Sequence, residues 1–217
     1  MARIHSLPFV ETITAAPLYA KQTSVWQKRS LDIAISCATL LLCLPICLII
    51  FCAIRGTSRG PALFKQTRTG QGGRAFTIYK FRTLYCQSPD NDRQVRQNDA
   101  RVTSVGRFLR QTSLDELPQL WNVLRGDMSI VGPRPHALAH DAYYGARIPT
   151  YYRRFRMKPG LTGLAQIRDF RGETADLAAM EGRIHLDLVY INTWSLWSDI
   201  DIIARTPGAL IRTTRAY

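Results

Sequence analysis

The chain has 217 residues, room for one domain of ordinary size plus an anchor. Its 29 Lys and Arg against 16 Asp and Glu give a formal net charge of +13, which favours anionic partners (nucleic acid, phosphorylated substrates or an anionic membrane face) and speaks against cationic ones. Five cysteines stand at 37, 43, 47, 52 and 86, four of them inside one apolar run with no CxxC pair and no histidine beside them, which argues against a disulfide framework or a zinc site.

Of the 29 basic residues 24 are Arg, whose planar fork grips phosphate at two points where Lys offers one charge; a GC-rich genome would raise the Arg count equally well. Residues 1–27 are rich in Ala, Thr, Ser and Pro without a sustained period, and are expected to form a flexible tail. Residues 33–54 carry no charge, and as a straight helix they would reach about 33 Å, enough for a hydrocarbon core of about 30 Å. The run lies too deep in the chain and is too long for a secretory signal. Pro45 divides it into halves of about 18 and 13 Å, neither able to cross alone. Basic residues flank it evenly: Lys21, Lys28 and Arg29 before, Arg55, Arg59, Lys65 and Arg68 after. A spanning helix usually has a positive and a poor side. Even flanks favour both ends on the cytoplasmic face, with residues 28–55 forming a re-entrant anchor that bends at Pro45; a kinked span is the alternative.

Residues 60–84 combine glycines with the alternating stretch Phe76–Phe81 and predict a hairpin. Residues 87–101 are polar and predict a loop or exposed helix. From 104 to 125 the period is helical, with Leu117, Leu120, Trp121 and Leu124 on one stripe and Gly126 as terminator. Residues 126–135 are dense in turns around Arg134. Tyr143, Tyr144, Tyr151 and Tyr152 with Arg153, Arg154 and Arg156 suit a membrane interface, stacked nucleic-acid bases or a solvated surface. Residues 194–211 fit an amphipathic helix lying on the bilayer or an ordinary core-facing one.

The segment 107–118 holds the adjacent acids Asp115 and Glu116. Ser113 and Glu116 match a capping box, and first-turn acids complement the helix dipole. The same dipole keeps a carboxylate ionised, the state needed for attack on phosphorus, and the N-terminal amides can receive an anion. Arg110, upstream, is placed to neutralise phosphate charge.

At these residues the chain resembles the bacterial sugar transferases, the monotopic polyprenyl-phosphate phosphoglycosyl transferases of the exopolysaccharide-initiating type. The resemblance runs from about residue 28 to the C-terminus: KRSLD (28–32), the apolar run with Pro45, FKQTRTGQGG (64–73), YKFRT (79–83), RQTSLDELPQLWNVLRGDMSIVGPRP (110–135), KPGLTGLAQ (158–166) and LDLVYINTWSLWSD (186–199). Where the family usually has Ser before the helix-breaking proline, this chain has Leu44.

The resemblance implies an α+β fold, mostly helical with a small β-hairpin or sheet, an anchor broken at Pro45, interfacial helices, and a catalytic domain over 56–217 on the cytoplasmic face of the bacterial inner membrane. It implies that Asp115 attacks the β-phosphate of a UDP-sugar, galactose or glucose being expected, and that undecaprenyl phosphate then takes the phosphosugar. Glu116 would assist through proton handling or, with Asp115, through Mg2+, which is the implied cofactor. Lys80, Arg82, Arg110 and Arg134 match positions the family places around phosphate. Membrane lipids are implied partners, a homo-oligomer is compatible, and nucleic acid is not expected. Two rival functions make different predictions: a nucleic-acid-binding basic protein would show salt-sensitive binding without turnover, and a non-catalytic scaffold would have an altered acidic pair.

Overall fold

A computed structural model describes residues 22–86, 99–171 and 176–214. Most of the expected tail and of the polar stretch 87–101 lies outside these residues. The fold is mostly helical with two small sheets. Helix α1 spans Gln22–Thr57, so it begins earlier than the expected anchor. It continues through Pro45 with helical backbone on both sides, so the expected break is not an interruption of the helix. Proline removes one ladder bond and bends a helix without unwinding it.

Beyond α1, the expected hairpin forms from β1 (Leu63–Thr69) and β2 (Ala75–Phe81), antiparallel, with Leu63 opposite Phe81 and Thr69 opposite Ala75. The helical stretch expected over 104–125 is two helices, α2 (Ser104–Thr112) and α3 (Gln119–Arg125), parted by a single 3-10 turn, Leu114–Glu116. Ser113 at φ 59 ends α2 in the left-handed region, and Pro118, which has no N–H to donate, stands at the N-terminus of α3. Gly126, at φ 89, closes α3 as expected.

Strands β3 (Ser129–Val131) and β4 (Gly160–Thr162) pair in parallel, and the crossover between them carries α4 (Leu138–Gly145) and a 3-10 segment, Tyr151–Arg156. The short α5 (Leu164–Ile167) leads to α6 (Leu177–Thr193), capped by the Asp176 side chain, and α7 (Leu196–Thr214). The main core joins β2, α3, β3, α6 and α7 through Ile78, Leu120, Val123, Met128, Ile191 and Ile202. Helix α7 divides its apolar residues: Ile202 and Ala209 enter the core while Trp197 and Ile211 stay exposed. The C-terminal segment thus faces the core on one side and leaves apolar side chains bare on the other.

Both ends of α1's apolar run are tied to this folded body. At the N-terminal end the Lys28 ammonium pairs with Asp199 at 2.7 Å and donates to the Val131 carbonyl at 3.0 Å. Arg29 donates to the Val123 and Leu124 carbonyls at 2.5 and 2.6 Å, tying α1 to the last turn of α3, where the Val123 carbonyl also accepts from the Gly126 amide. Asp32 accepts from the Ser129 hydroxyl and the Ile130 amide, both at 2.9 Å. At the C-terminal end Ile50 and Ile54 pack with Ala62, Phe81 and Leu109. Between these ties, Leu41 and Leu42 are 77 and 82 % exposed, the bare apolar crest of the helix. Its length and composition suffice to cross a membrane.

Candidate active site

Asp115 and Glu116 sit on the 3-10 turn between α2 and α3, and both are buried. The turn is set by local rules: Thr103 caps α2 by accepting from the Gly106 amide, Ser113 reverses the chain, and Glu116 N–H donates to the Ser113 carbonyl at 3.1 Å. The expected capping box does not form. Ser113, in the left-handed region, makes no side-chain cap; its hydroxyl accepts from Arg171 at 2.6 Å, and Glu116 points to cations instead. Gly106 lets α2 lie against the chain leaving β2, because a Cβ there would collide with the Thr83 carbonyl. That approach brings the end of α2 towards Lys80 on β2.

The two acids have opposite surroundings. Glu116 Oε1 receives the Lys80 ammonium at 2.8 Å and an Arg134 nitrogen at 2.6 Å, while Oε2 faces the other Arg134 nitrogen at 3.3 Å. Burial opposes its ionisation, but Arg134 and Lys80 outweigh that and hold the carboxyl well below the usual range. Among the described residues no hydrogen bond reaches the Asp115 carboxylate. Burial, with Glu116 close by, pushes its pKa up to about 6 against the pull of Lys80, Arg110 and Arg134. One carboxylate is therefore fixed and compensated; the other accepts no hydrogen bond among the described residues. Such a split is how a site assigns two roles to two like groups.

Of the residues singled out in the sequence, the structure brings Lys80, Arg110 and Arg134 to the acids and does not bring Arg82. Arg110, in the last turn of α2, lies near Asp115 and makes no ion pair among the described residues. Arg82 follows the end of β2, is 5 % exposed, and is occupied elsewhere. It donates to the Arg59 carbonyl, to the Ser58 carbonyl at 3.0 Å and to the Ser58 hydroxyl at 2.8 Å, bracing the chain after α1.

Sequence reasoning missed a second polar cluster beside the first. Arg154 is 2 % exposed and binds Asp187 at 2.7 Å, the Arg134 carbonyl at 2.6 Å and the His136 ring at 2.6 Å. Tyr151 is fully buried, contacts His136 at 2.6 Å and donates to Asp141 at 2.7 Å, and Asp141 also accepts from Thr69. These two residues, read from the sequence as suiting a membrane interface, stacked bases or a solvated surface, lie inside the protein; Tyr143 in the same aromatic run is exposed. An Arg among tyrosines looks alike on a surface and in a satisfied buried network, so the sequence carried no signal for the difference.

The model of the bacterial sugar transferase family matches residues 23–213. The chain belongs to that family. The chain is 53% identical over 192 residues to the UDP-glucose:undecaprenyl-phosphate glucose-1-phosphate transferase of Caulobacter vibrioides, an alignment covering 88% of this chain and 72% of the relative. It is 50% identical over 182 residues to the transferase of the same name from Escherichia coli, covering 82% of the chain but 39% of the relative. Against the undecaprenyl-phosphate galactose phosphotransferase of Salmonella typhimurium identity is 36% over 214 residues, 91% of the chain and 43% of the relative. The chain thus spans most of the first of these sugar transferases and less than half of the other two.

Proposed function

We propose that this sugar transferase moves hexose-1-phosphate from a UDP-hexose to undecaprenyl phosphate, with Asp115 as nucleophile. The observation that carries the proposal is the buried Asp115 carboxylate, without a hydrogen bond and surrounded by Lys80, Arg110 and Arg134. Relatives named for glucose transfer reach about half identity and the galactose relative about a third, which supports UDP-glucose as donor.

In the first step an Asp115 oxygen bonds to the β-phosphorus, the bond from that phosphorus to the bridging oxygen breaks, and UMP leaves with the electron pair. In the second step an oxygen of the lipid phosphate bonds to the same phosphorus and the aspartyl oxygen departs, restoring the carboxylate. Arg110 and Lys80 offset charge on the phosphoryl oxygens. Glu116, held ionised by Arg134 and Lys80, is a poor proton carrier near neutrality; it fixes those two cations in position. Magnesium is commonly held through one or two carboxylates plus substrate phosphates. The donor set here fits an ion arriving with the diphosphate: Asp115 is open, both Glu116 oxygens are engaged, and no cluster of three or more potential ligands occurs among the described residues. Bound there, it would neutralise diphosphate charge.

The tethering of both ends of α1 to one body, with the apolar crest near Pro45 exposed, supports a helix that enters one leaflet, bends and returns. Asp115 would then work at the interface, on the cytoplasmic face where the phosphate headgroup of the lipid acceptor meets the nucleotide sugar. Single cysteines at Ser30 and Thr57, in a chain freed of its own five, should label from the same face; labelling from opposite faces refutes the re-entrant anchor. For the chemistry, UMP release from UDP-glucose with undecaprenyl phosphate should vanish in Asp115→Asn, and release that survives would refute the nucleophile.

A further inference from the structure

Arg134 reaches Glu116 from a stretch outside any helix or strand, between Val131, where β3 ends, and Leu138, where α4 begins. It stands between Pro133 and Pro135. A proline has no N–H to donate, and the residue before one is driven to extended backbone, so local hydrogen bonding cannot fold this stretch on itself. The Pro133 carbonyl accepts from the Gly160 amide at 2.9 Å, which fixes the near side. Beyond it, Arg154 grips the chain on both sides of Pro135. Its Nη2 donates to the Arg134 carbonyl at 2.6 Å, and its Nη1 meets His136 Nδ1 at 2.6 Å.

Arg154 is itself clamped from the far side. Asp187 Oδ2, on α6, receives Nε at 3.2 Å and Nη2 at 2.7 Å, and both residues are buried. The contacts therefore run in an unbroken line from α6 through Asp187 and Arg154 to the Arg134 main chain. From there the Arg134 side chain meets Glu116 at 2.6 and 3.3 Å. A buried ion pair gains little or nothing over apolar side chains of similar size, so stability alone does not account for this one. What it adds is direction: the planar fork offers donors at fixed angles, where a Lys ammonium would serve one point.

We propose that Arg154, clamped by Asp187, is a positioning residue: it fixes the Arg134 main chain so that the Arg134 guanidinium meets Glu116 beside Asp115. Its kinetic consequence rests on the transfer reaction proposed above. Arg154 touches neither acid and acts through Arg134. A misplacement of about 1 Å in a reacting geometry costs about a hundredfold in rate, so a slack Arg134 should register in turnover even where the fold survives.

The test replaces the pair by apolar residues, Arg154→Met with Asp187→Leu, in the full chain in detergent micelles. Such replacements commonly keep a fold, so the melting temperature should stay near the parent's. The kcat/KM for UMP release from UDP-glucose with undecaprenyl phosphate should fall about tenfold or more. In an Arg134→Gln background the same two changes should cost less than about twofold, because the group they position is already gone. Parent-like kinetics, or an equal fall in both backgrounds, overturns the proposal. Arg154→Lys keeps the charge without the fork and should not restore the rate; full activity there is equally fatal. A second readout needs neither turnover nor the double replacement. In Arg154→Lys, phenylglyoxal should modify Arg134 severalfold faster than in the parent, read by mass spectrometry, while buried Arg82 reacts at its parent rate. Unchanged modification of Arg134, or an equal rise at Arg82, overturns the positioning role. Faster modification at Arg134 alone, in a protein whose parent releases no UMP, upholds the positioning and sinks the transfer reaction instead.

Discussion

The strain of keeping Asp115 buried and unpaired should be measurable as lost stability. In the unfolded chain its carboxyl ionises near 3.8, in the folded chain near 6. Below 3.8 the group is protonated in both states and costs nothing. As pH rises from 3.8 to about 6 the unfolded chain releases the proton first, so stability falls, and it stays lower above 6. At about 1.4 kcal/mol for each pH unit the loss comes to about 3 kcal/mol at pH 7. Asp115→Asn removes the charge while keeping the shape, and leaves a buried amide worth about 1 kcal/mol of penalty. The variant should therefore be more stable than the parent by about 2 kcal/mol at pH 7, a melting temperature higher by about 6 °C, while inactive. At pH 4 the advantage should disappear. The assay is thermal melting of both chains in detergent with EDTA, from pH 4 to 8. An Asp115→Asn chain less stable than the parent at pH 7, or an advantage independent of pH, would refute the argument that burial without a partner raises this carboxyl.

Glu116→Gln should act in the opposite direction, costing about 3 kcal/mol in the same melts, because Lys80 and Arg134 would be left facing each other without their shared anion. Arg110→Gln should leave the melting temperature within a degree or two but raise the KM for UDP-glucose about tenfold or more, since among the described residues it makes no ion pair to lose and on the proposed reaction it forfeits a phosphate contact. Arg82→Gln should do the reverse, lowering stability by about 2 kcal/mol through the orphaned Ser58 and Arg59 carbonyls, with the KM of the folded fraction unchanged. Asp32→Ala should loosen α1 from β3, seen as faster hydrogen exchange at the Ile130 amide.

What the sequence disclosed depended on range. Elements specified by neighbouring residues were legible: the alternation of Phe76–Phe81 marked the hairpin, and the uncharged run marked a long apolar helix. Asp115 and Glu116 lie within the stretch that the family model matches, and being adjacent they fall on one turn. Features requiring distant partners were not. Nothing local marks Ser113 as left-handed, so the capping box was a reasonable misreading of Ser and Glu three apart. KRSLD was recognisable as a pattern, yet only the fold shows Lys28, Arg29 and Asp32 locking α1 to α3, β3 and Asp199. Arg82 shares its motif with Lys80, but the strand ends between them at Phe81, and the chain's departure from the pleat turns Arg82 towards Ser58.

The charge inventory around the acids links fold to function. Among the described residues Lys80, Arg110, Arg134 and Arg171 act on Asp115 and Glu116, and Arg154 and Arg183 lie against His136. Cations buried beside a carboxylate that pairs with none of them are costly, and on the proposed reaction the substrate phosphate offsets them. On that reading the Asp115 carboxylate, which accepts no hydrogen bond among the described residues, keeps an oxygen for phosphorus. Glu116 is already engaged by Arg134 and Lys80, and that engagement holds both cations beside Asp115.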